Sequence, residues 1–202
     1  MVLPFLGLFI MLIAAISFYS KRSTRHQQEL NDSFWEREQK ANFVRRQDIS
    51  GLPYINIPFE DFSIGAFTDS ELNEIEEHLL HFRDKKILNL NNQTNTDLKL
   101  QYGPANLPIL TEYDQNFTDM LQLLTRYSNR LFELEQPEAA LPVLTFCIEA
   151  GSDISAQYVQ LAKYYKANGQ IHKIESLKEK ASHLDSLMKT SILQKLDTLL
   201  SE

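Results

Sequence analysis

Apolar positions along this chain change their spacing several times, and each change marks a different kind of segment. Val2 to Tyr19, VLPFLGLFIMLIAAISFY, run eighteen positions without a charge. As a helix such a run reaches about 27 Å, close to the roughly 30 Å of hydrocarbon in a bilayer. A core helix of a soluble domain would show a polar face, and this run has none. A cleaved signal peptide would open on basic residues and close on a small-x-small site. Here the chain opens Met-Val-Leu-Pro, and Ala15-Ile16-Ser17 is a weak match. The pattern predicts an uncleaved transmembrane anchor over residues 1–20. Phe18 and Tyr19 suit the membrane interface, and Lys21, Arg22 and Arg25 form a cationic flank that should stay on the cytoplasmic side. The N-terminus then faces outward and the rest of the chain lies in the cytoplasm.

From 27 to 47 the spacing turns helical. Leu30, Phe34, Ala41 and Val44 share one narrow face, and Glu36 and Lys40 form an i,i+4 pair, so residues 21–50 read as a juxtamembrane helix or stalk. Between 48 and 66 the glycines and prolines (Gly51, Pro53, Pro58, Gly65) break that pattern. Tyr54, Ile55, Ile57, Phe59 and Phe62 are nevertheless too apolar for a free linker, which predicts an extended strap laid on a domain. Thr68 and Glu71 have capping-box spacing for a helix to about Asp84, with Leu72, Ile75, Leu79 and Phe82 facing inward. Residues 87–103 are readable two ways. Leu98, Leu100 and Tyr102 alternate like a strand, whereas Thr94-x-x-Asp97 closed by Gly103 fits a short capped helix, which the lack of β-branched residues favours. Pro104 and Pro108 bracket a connector, so 51–110 reads as a strap with short helices.

Residues 111–202 carry a regular amphipathic pattern. Asp114–Leu134 places Phe117, Leu121, Leu124, Tyr127 or Ser128, and Leu131 on one side. A second helix opens on Pro137 and stops at Gly151, a third follows Asp153 and ends at Asn168-Gly169, and a fourth starts near Ile171. Shifting the chain by 34 residues lays Leu124 over Tyr158, Tyr127 over Leu161, Ser128 over Ala162 and Leu131 over Tyr165. The same shift lays Ala140 and Cys147 over Ile174 and Ala181. With Tyr158, Leu161, Ala162, Tyr165 and Gly169 in this order, the stretch resembles the tetratricopeptide (TPR) repeat, whose period is 34. The match covers two units. It departs at Ile174 and Lys178, where that family has a small and an aromatic residue, and at Pro142, which should kink the second helix. Leu187, Ile192, Leu196 and Leu199 provide for a terminal capping helix.

The resemblance implies a fold and a site. The fold is all-α, an N-terminal transmembrane helix followed by a helical domain of TPR-like antiparallel helix pairs. The implied ligand-facing positions, on the concave side of such a stack, are Gln122, Thr125, Asn129 and Phe132 in the first unit and Val159, Lys163 and Lys166 in the second. The whole chain also resembles single-span bacterial membrane proteins of no assigned activity. Phe34-Trp35-Glu36-Arg37-Glu38 and Asn95-Thr96-Asp97-Leu98-Lys99-Leu100-Gln101-Tyr102-Gly103 carry that likeness.

Composition narrows the functions available. Of 20 basic residues, three flank the anchor, leaving 17 against 27 acidic ones beyond residue 26, a balance of −10. Such a body repels nucleic acid. One cysteine, Cys147, allows no disulfide within the chain and sits among Leu144, Phe146 and Ile148, where a thiol packs as a small apolar group. His78 and His81 with Glu74 and Glu77 are spaced unlike a zinc-protease pair and read as a solvated acidic face, and His172 and His183 have no obvious partner. No phosphate loop or nucleophile–base pair stands out. The expectation is a non-enzymatic protein with no cofactor or metal, held in the membrane by residues 2–19 and binding a protein or peptide. The competing expectation is a structural subunit of a membrane complex, assembled through the transmembrane and juxtamembrane helices. No sequence feature specifies an oligomeric state.

Overall fold

The structure is a computed structural model that describes Ser17, Tyr19 and residues 27–201. Every α-helix and 3-10 turn among them is helical in type and no strand occurs, so the described chain is all-α. In chain order the helices are α1 (described over residues 27–42), α2 (Ser70–Leu80), α3 (Asn95–Tyr102), α4 (Leu107–Glu133), α5 (Pro137–Glu149), α6 (Ser155–Ala167), α7 (Ile171–Ser182) and α8 (Lys189–Ser201). Single 3-10 turns lie at Phe59–Asp61 and Pro104–Asn106. The apolar run expected to span a membrane lies outside the described residues apart from Ser17 and Tyr19, and so do its flank Lys21, Arg22 and Arg25. Among the described residues no helix is long and apolar enough to cross a membrane.

The chain forms two compact units. One comprises the described part of Met1–Gln47 together with Thr94–Leu107, the other Asp48–Gln93 together with Pro108–Glu202. In the first unit α3 begins on the reciprocal box that its sequence predicts. The Thr94 hydroxyl accepts from the Asp97 N–H at 3.2 Å, and the Asp97 carboxylate accepts from the Thr94 N–H at 3.0 Å. Charge then ties α1 to α3. Arg37 pairs with Asp97, while Glu38 accepts from Lys99 and, at 2.6 Å, from the Thr96 hydroxyl. Those bonds hold the Glu38 carboxyl below its ordinary range. The helix expected to reach residue 47 stops at 42, because the backbone beyond it is engaged elsewhere. The Gln47 N–H donates to the Tyr102 carbonyl at 3.0 Å, and the buried Asn106 amide donates to the Gln47 and Tyr102 carbonyls at 2.8 Å each. Gly103 (φ +85°) lets this passage close, since a Cβ there would sit 2.7 Å from the Arg45 carbonyl oxygen.

In the second unit the strap is packed as its apolar residues predict. Ile57 and Phe62 are buried, Ile55 and Phe59 lie against the same core, and the Ile55 N–H reaches the Ile87 carbonyl at 2.9 Å. The strap is also fastened by a buried carboxylate on α2. Glu76 accepts from the Gly65 N–H at 2.9 Å and from the Tyr127 hydroxyl of α4 at 3.1 Å. Three details of the sequence reading change. The cap of α2 is Asp69, not Thr68. The Asp69 carboxylate accepts from the Leu72 N–H at 2.9 Å and is fixed by Arg130 of α4, with Nη2 to Oδ2 at 2.7 Å. That helix ends at Leu80, short of Asp84. The expected connector at Pro104–Pro108 contains the start of α4, since Pro108 occupies a first turn whose N–H would have no partner anyway.

From α4 to α7 one turn recurs. After α4 the Gln136 N–H returns to the Leu131 carbonyl at 2.8 Å and the Glu135 N–H to the Phe132 carbonyl at 3.1 Å. Thirty-four residues later Gln170 returns to Tyr165 at 2.8 Å and Gly169 to Lys166 at 3.0 Å. The end of α5 has the same form, with Ser152 to Cys147 at 3.0 Å and Gly151 to Ile148 at 3.1 Å. All three endings place one residue in the left-handed region, Glu135 (φ 58°), Gly151 (φ 88°) and Gly169 (φ 68°), and their paired bonds satisfy carbonyls that a helix end leaves open. The 34-residue period extends to helix starts, 137 and 171 for α5 and α7, 155 and 189 for α6 and α8. Leu124, Tyr127, Ser128, Tyr158, Leu161 and Ala162 are all buried, and so are Ala140, Cys147, Ile174 and Ala181.

Local departures have local causes. Pro142 lies inside α5 on an exposed position, and the carbonyl it leaves without a donor belongs to the exposed Glu138. Asp153 does not cap α6; its carboxylate takes the Ser186 hydroxyl. Lys178, where the repeat family has an aromatic, pairs with Asp197 of α8. The capping helix α8 seats Ile192 and Leu196 in the core, with Leu199 beside them, whereas Leu187 precedes it and is fully exposed.

Two outcomes test this account. No atom crowds a Cβ at Gly169, so Gly169→Ala is expected to lower stability, and Glu135→Gly to raise it, each by roughly 1 kcal/mol. Urea midpoints that do not move in opposite directions would remove the strain assigned to these turns. Secondly, the Arg130 guanidinium and then the Leu72 N–H hold the Asp69 carboxyl down to about 2, from 3.8. Its stabilising contribution is therefore complete above about pH 4 and is lost as pH falls towards about 2. Asp69→Asn is expected to be less stable at neutral pH, with a smaller further loss across that acidic window.

Candidate functional site

Four of the seven ligand-facing residues implied by the sequence meet in one groove. Asn129 and Phe132 come from the end of α4, and Val159 and Lys163 from the middle of α6, where Ala156 and Gln160 complete a recess of about 400 Å³. The two helices are set side by side by a buried glutamine. Gln157, fully buried on α6, donates to the Thr125 hydroxyl at 2.8 Å, and that hydroxyl donates on to the Leu121 carbonyl at 2.6 Å. One turn of α6 either side of Gln157 then brings Ala156, Gln160 and Lys163 outward. The floor is apolar, from Phe132 and Val159, and the rim carries the Asn129 amide and the exposed Lys163 ammonium. Such a recess can seat an apolar side chain while an amide and a cation take its polar backbone or an adjoining carboxylate.

The other three residues lie elsewhere. Thr125 is engaged with Gln157 inside the α4–α6 contact and serves packing there. The Lys166 ammonium donates to the Leu199 carbonyl at 2.7 Å, in the last turn of α8, where a cation suits the helix dipole. Gln122 lines a different recess, between α2 and α4.

Compared with protein-family models, curated proteins and solved structures, this chain matches none.

Chemically reactive groups are sparse in the α4–α6 groove. Cys147 lies behind it in the core, and burial pushes its thiol up to about 12 despite an offsetting contact from Gln157, so it stays protonated at neutral pH. The His78 and His81 rings stand 6.2 Å apart, and among the described residues no three His, Cys, Asp or Glu side chains cluster closely enough to hold a metal.

Sequence reasoning missed the lining residues Ala156 and Gln160 on α6, and Lys85, Leu123 and Arg126 of the α2–α4 recess. Ala156 and Gln160 fall one turn from Val159 and Lys163, so helical spacing would have found them. Arg126 carried no signal of its own, since a single cation on an exposed helix row is ordinary.

The split between packing and rim residues is measurable. Thr125→Val strips Gln157 of its acceptor in a dry contact, with an expected loss of about 1–3 kcal/mol in folding stability. Lys163→Ala, an exposed change, is expected to stay within roughly 0.5 kcal/mol. Equal effects in denaturant titrations would contradict the assignment.

Proposed function

We propose that this protein is a membrane-anchored, non-enzymatic interaction module whose α4–α8 helices form a TPR-like stack that holds a segment of another protein. The observation that carries this reading is the convergence of Asn129, Phe132, Val159 and Lys163, equivalent faces of two successive units, on one groove. The 34-residue recurrence of the helix-ending turn supports a repeat as its origin. The uncharged run 2–19 would fix the module in the cell membrane, with Lys21, Arg22 and Arg25 retaining it on the cytoplasmic face.

A second reading has its own observation. Leu30, Phe34 and Trp35 on α1, and Phe43 just after it, are all more than half exposed, and the Phe34 and Trp35 rings meet edge to face at 5.5 Å. Large apolar groups left open next to an anchor suit a subunit that joins a membrane complex through its transmembrane and juxtamembrane helices.

Affinity capture from the native membrane separates the two. The full-length chain is compared with Asn129→Ala/Lys163→Ala, and with a chain whose residues 2–19 are replaced by an unrelated apolar helix. Loss of the captured protein in the double variant alone is the expected result. Loss only on exchanging the span would transfer the function to the anchor and α1.

A further inference from the structure

Beyond the α4–α6 groove, we infer that the recess on the α2 flank of α4 is a second docking surface, built for an acidic peptide segment of a partner protein. The recess measures about 480 Å³ and is bordered by His78 and His81 from α2, Lys85 just after it, and Arg126 from α4. Phe82 and Leu123 give it an apolar floor. The Lys85 ammonium sits 4.8 Å from the centre of the Phe82 ring, so the cation is held over that floor and not extended away from it.

What sets these groups apart is that their charge is unspent. Elsewhere in the same unit the basic side chains have partners. Arg130 serves Asp69, Glu71 and Glu133, Lys178 serves Asp197, and Lys180 serves Glu149. Lys166 and Lys195 donate to the Leu199 carbonyl and the Ser155 hydroxyl. Among the described residues, Lys85, Arg126, His78 and His81 pair with no carboxylate. The one carboxylate on the rim, Asp119, accepts the Gln115 amide at 2.8 Å. Each imidazole presents at least one N–H in either protonation state.

The surrounding chain makes this concentration of cations unusual. The protein carries a net charge of −7, so most of its surface turns an acidic segment away. A concave site with low-dielectric walls focuses the opposite potential, and here that potential is positive. Carboxylates alone would be satisfied on a flat patch; the Phe82–Leu123 floor adds room for an apolar side chain beside them. The fitting ligand is an extended segment with two or more Asp or Glu next to a Leu or Phe. This site shares α4 with the groove of the proposed function but none of its lining residues, and neither depends on the other.

The test uses the detergent-solubilised full-length chain and an immobilised library of random heptapeptides. Retained sequences are expected to be enriched in Asp and Glu adjacent to Leu or Phe, and to be released by added salt. Lys85→Glu/Arg126→Glu is expected to cut their retention at least about tenfold, whereas Asn129→Ala/Lys163→Ala leaves it within about twofold. The milder Lys85→Gln/Arg126→Gln, with an unchanged helical signal in circular dichroism, guards against a folding defect. No acidic enrichment, or equal retention by the charge-reversed chain, would overturn the assignment. Loss only in the Asn129/Lys163 variant would place the acidic segment in the other groove and also overturn it.

Discussion

A helix that must reverse within a few residues has to find donors for its last carbonyls, and the second unit meets that demand the same way three times. At Glu135, Gly151 and Gly169 the backbone enters the left-handed region, and two N–H groups fold back onto the turn just completed. Only that geometry allows α5 to return along α4, α6 along α5 and α7 along α6. Once it recurs with a fixed number of residues between reversals, alternate helices present equivalent faces. Tyr127 and Leu161 then point inward at corresponding depths, and Asn129 and Lys163, also 34 residues apart, point outward into one groove. The groove is thus a consequence of how the helices end more than of any side chain within it. The period stops where the turn does. After α7 the N–H groups of His183 and Leu184 reach back only three residues, and no residue between α7 and α8 takes positive φ. Helix α8 still packs on α6 and α7 and closes the stack through Ile192 and Leu196.

Features legible in the sequence were those with local causes. Hydrophobic spacing of 3.6, Gly at helix ends and the Thr94–Asp97 box each depend on residues within one or two turns, and α3 to α8 followed from them. Features set by distant partners were not legible. Thr68 had the better local spacing for a cap, yet Asp69 takes the role because Arg130, 61 positions away, locks its carboxylate. The stretch 45–47 was spaced like helix, but Asn106 claims its backbone. Phe34–Glu38 and Asn95–Gly103 drew notice only as a likeness to other chains. Physically they are two sides of one contact, in which Arg37 meets Asp97 and Glu38 meets Thr96 and Lys99.

The candidate site divides along the same line. A repeat register tells which residues leave a helix on one side, and Asn129, Phe132, Val159 and Lys163 came from that register. It cannot tell whether a neighbour consumes a residue, which is why Thr125 and Lys166 were grouped with them. Gln157 needs an acceptor and Thr125 supplies it; the end of α8 needs a donor and Lys166 supplies it. Conversely, Lys85 and Arg126 looked ordinary because a charge pattern reports exposure and says nothing about vacancy. Vacancy is a property of the whole network of ion pairs, and the structure is needed to count it.

That distribution of committed and uncommitted charge bears on affinity. A groove offering an amide, an ammonium and a small apolar floor makes too few contacts to offset the cost of ordering a peptide by a wide margin, so weak binding is its natural regime. Exposed cations add attraction at long range and hasten encounter more than they slow release. Both properties become useful when the module is confined. With residues 2–19 anchoring the chain, a partner that also belongs to the membrane would meet the grooves at an effective concentration set by two dimensions and a short tether, and weak contacts would then suffice. A second recess on the other flank of α4 strengthens that case, because two weak sites on one rigid helix hold a segment spanning both far longer than either would alone.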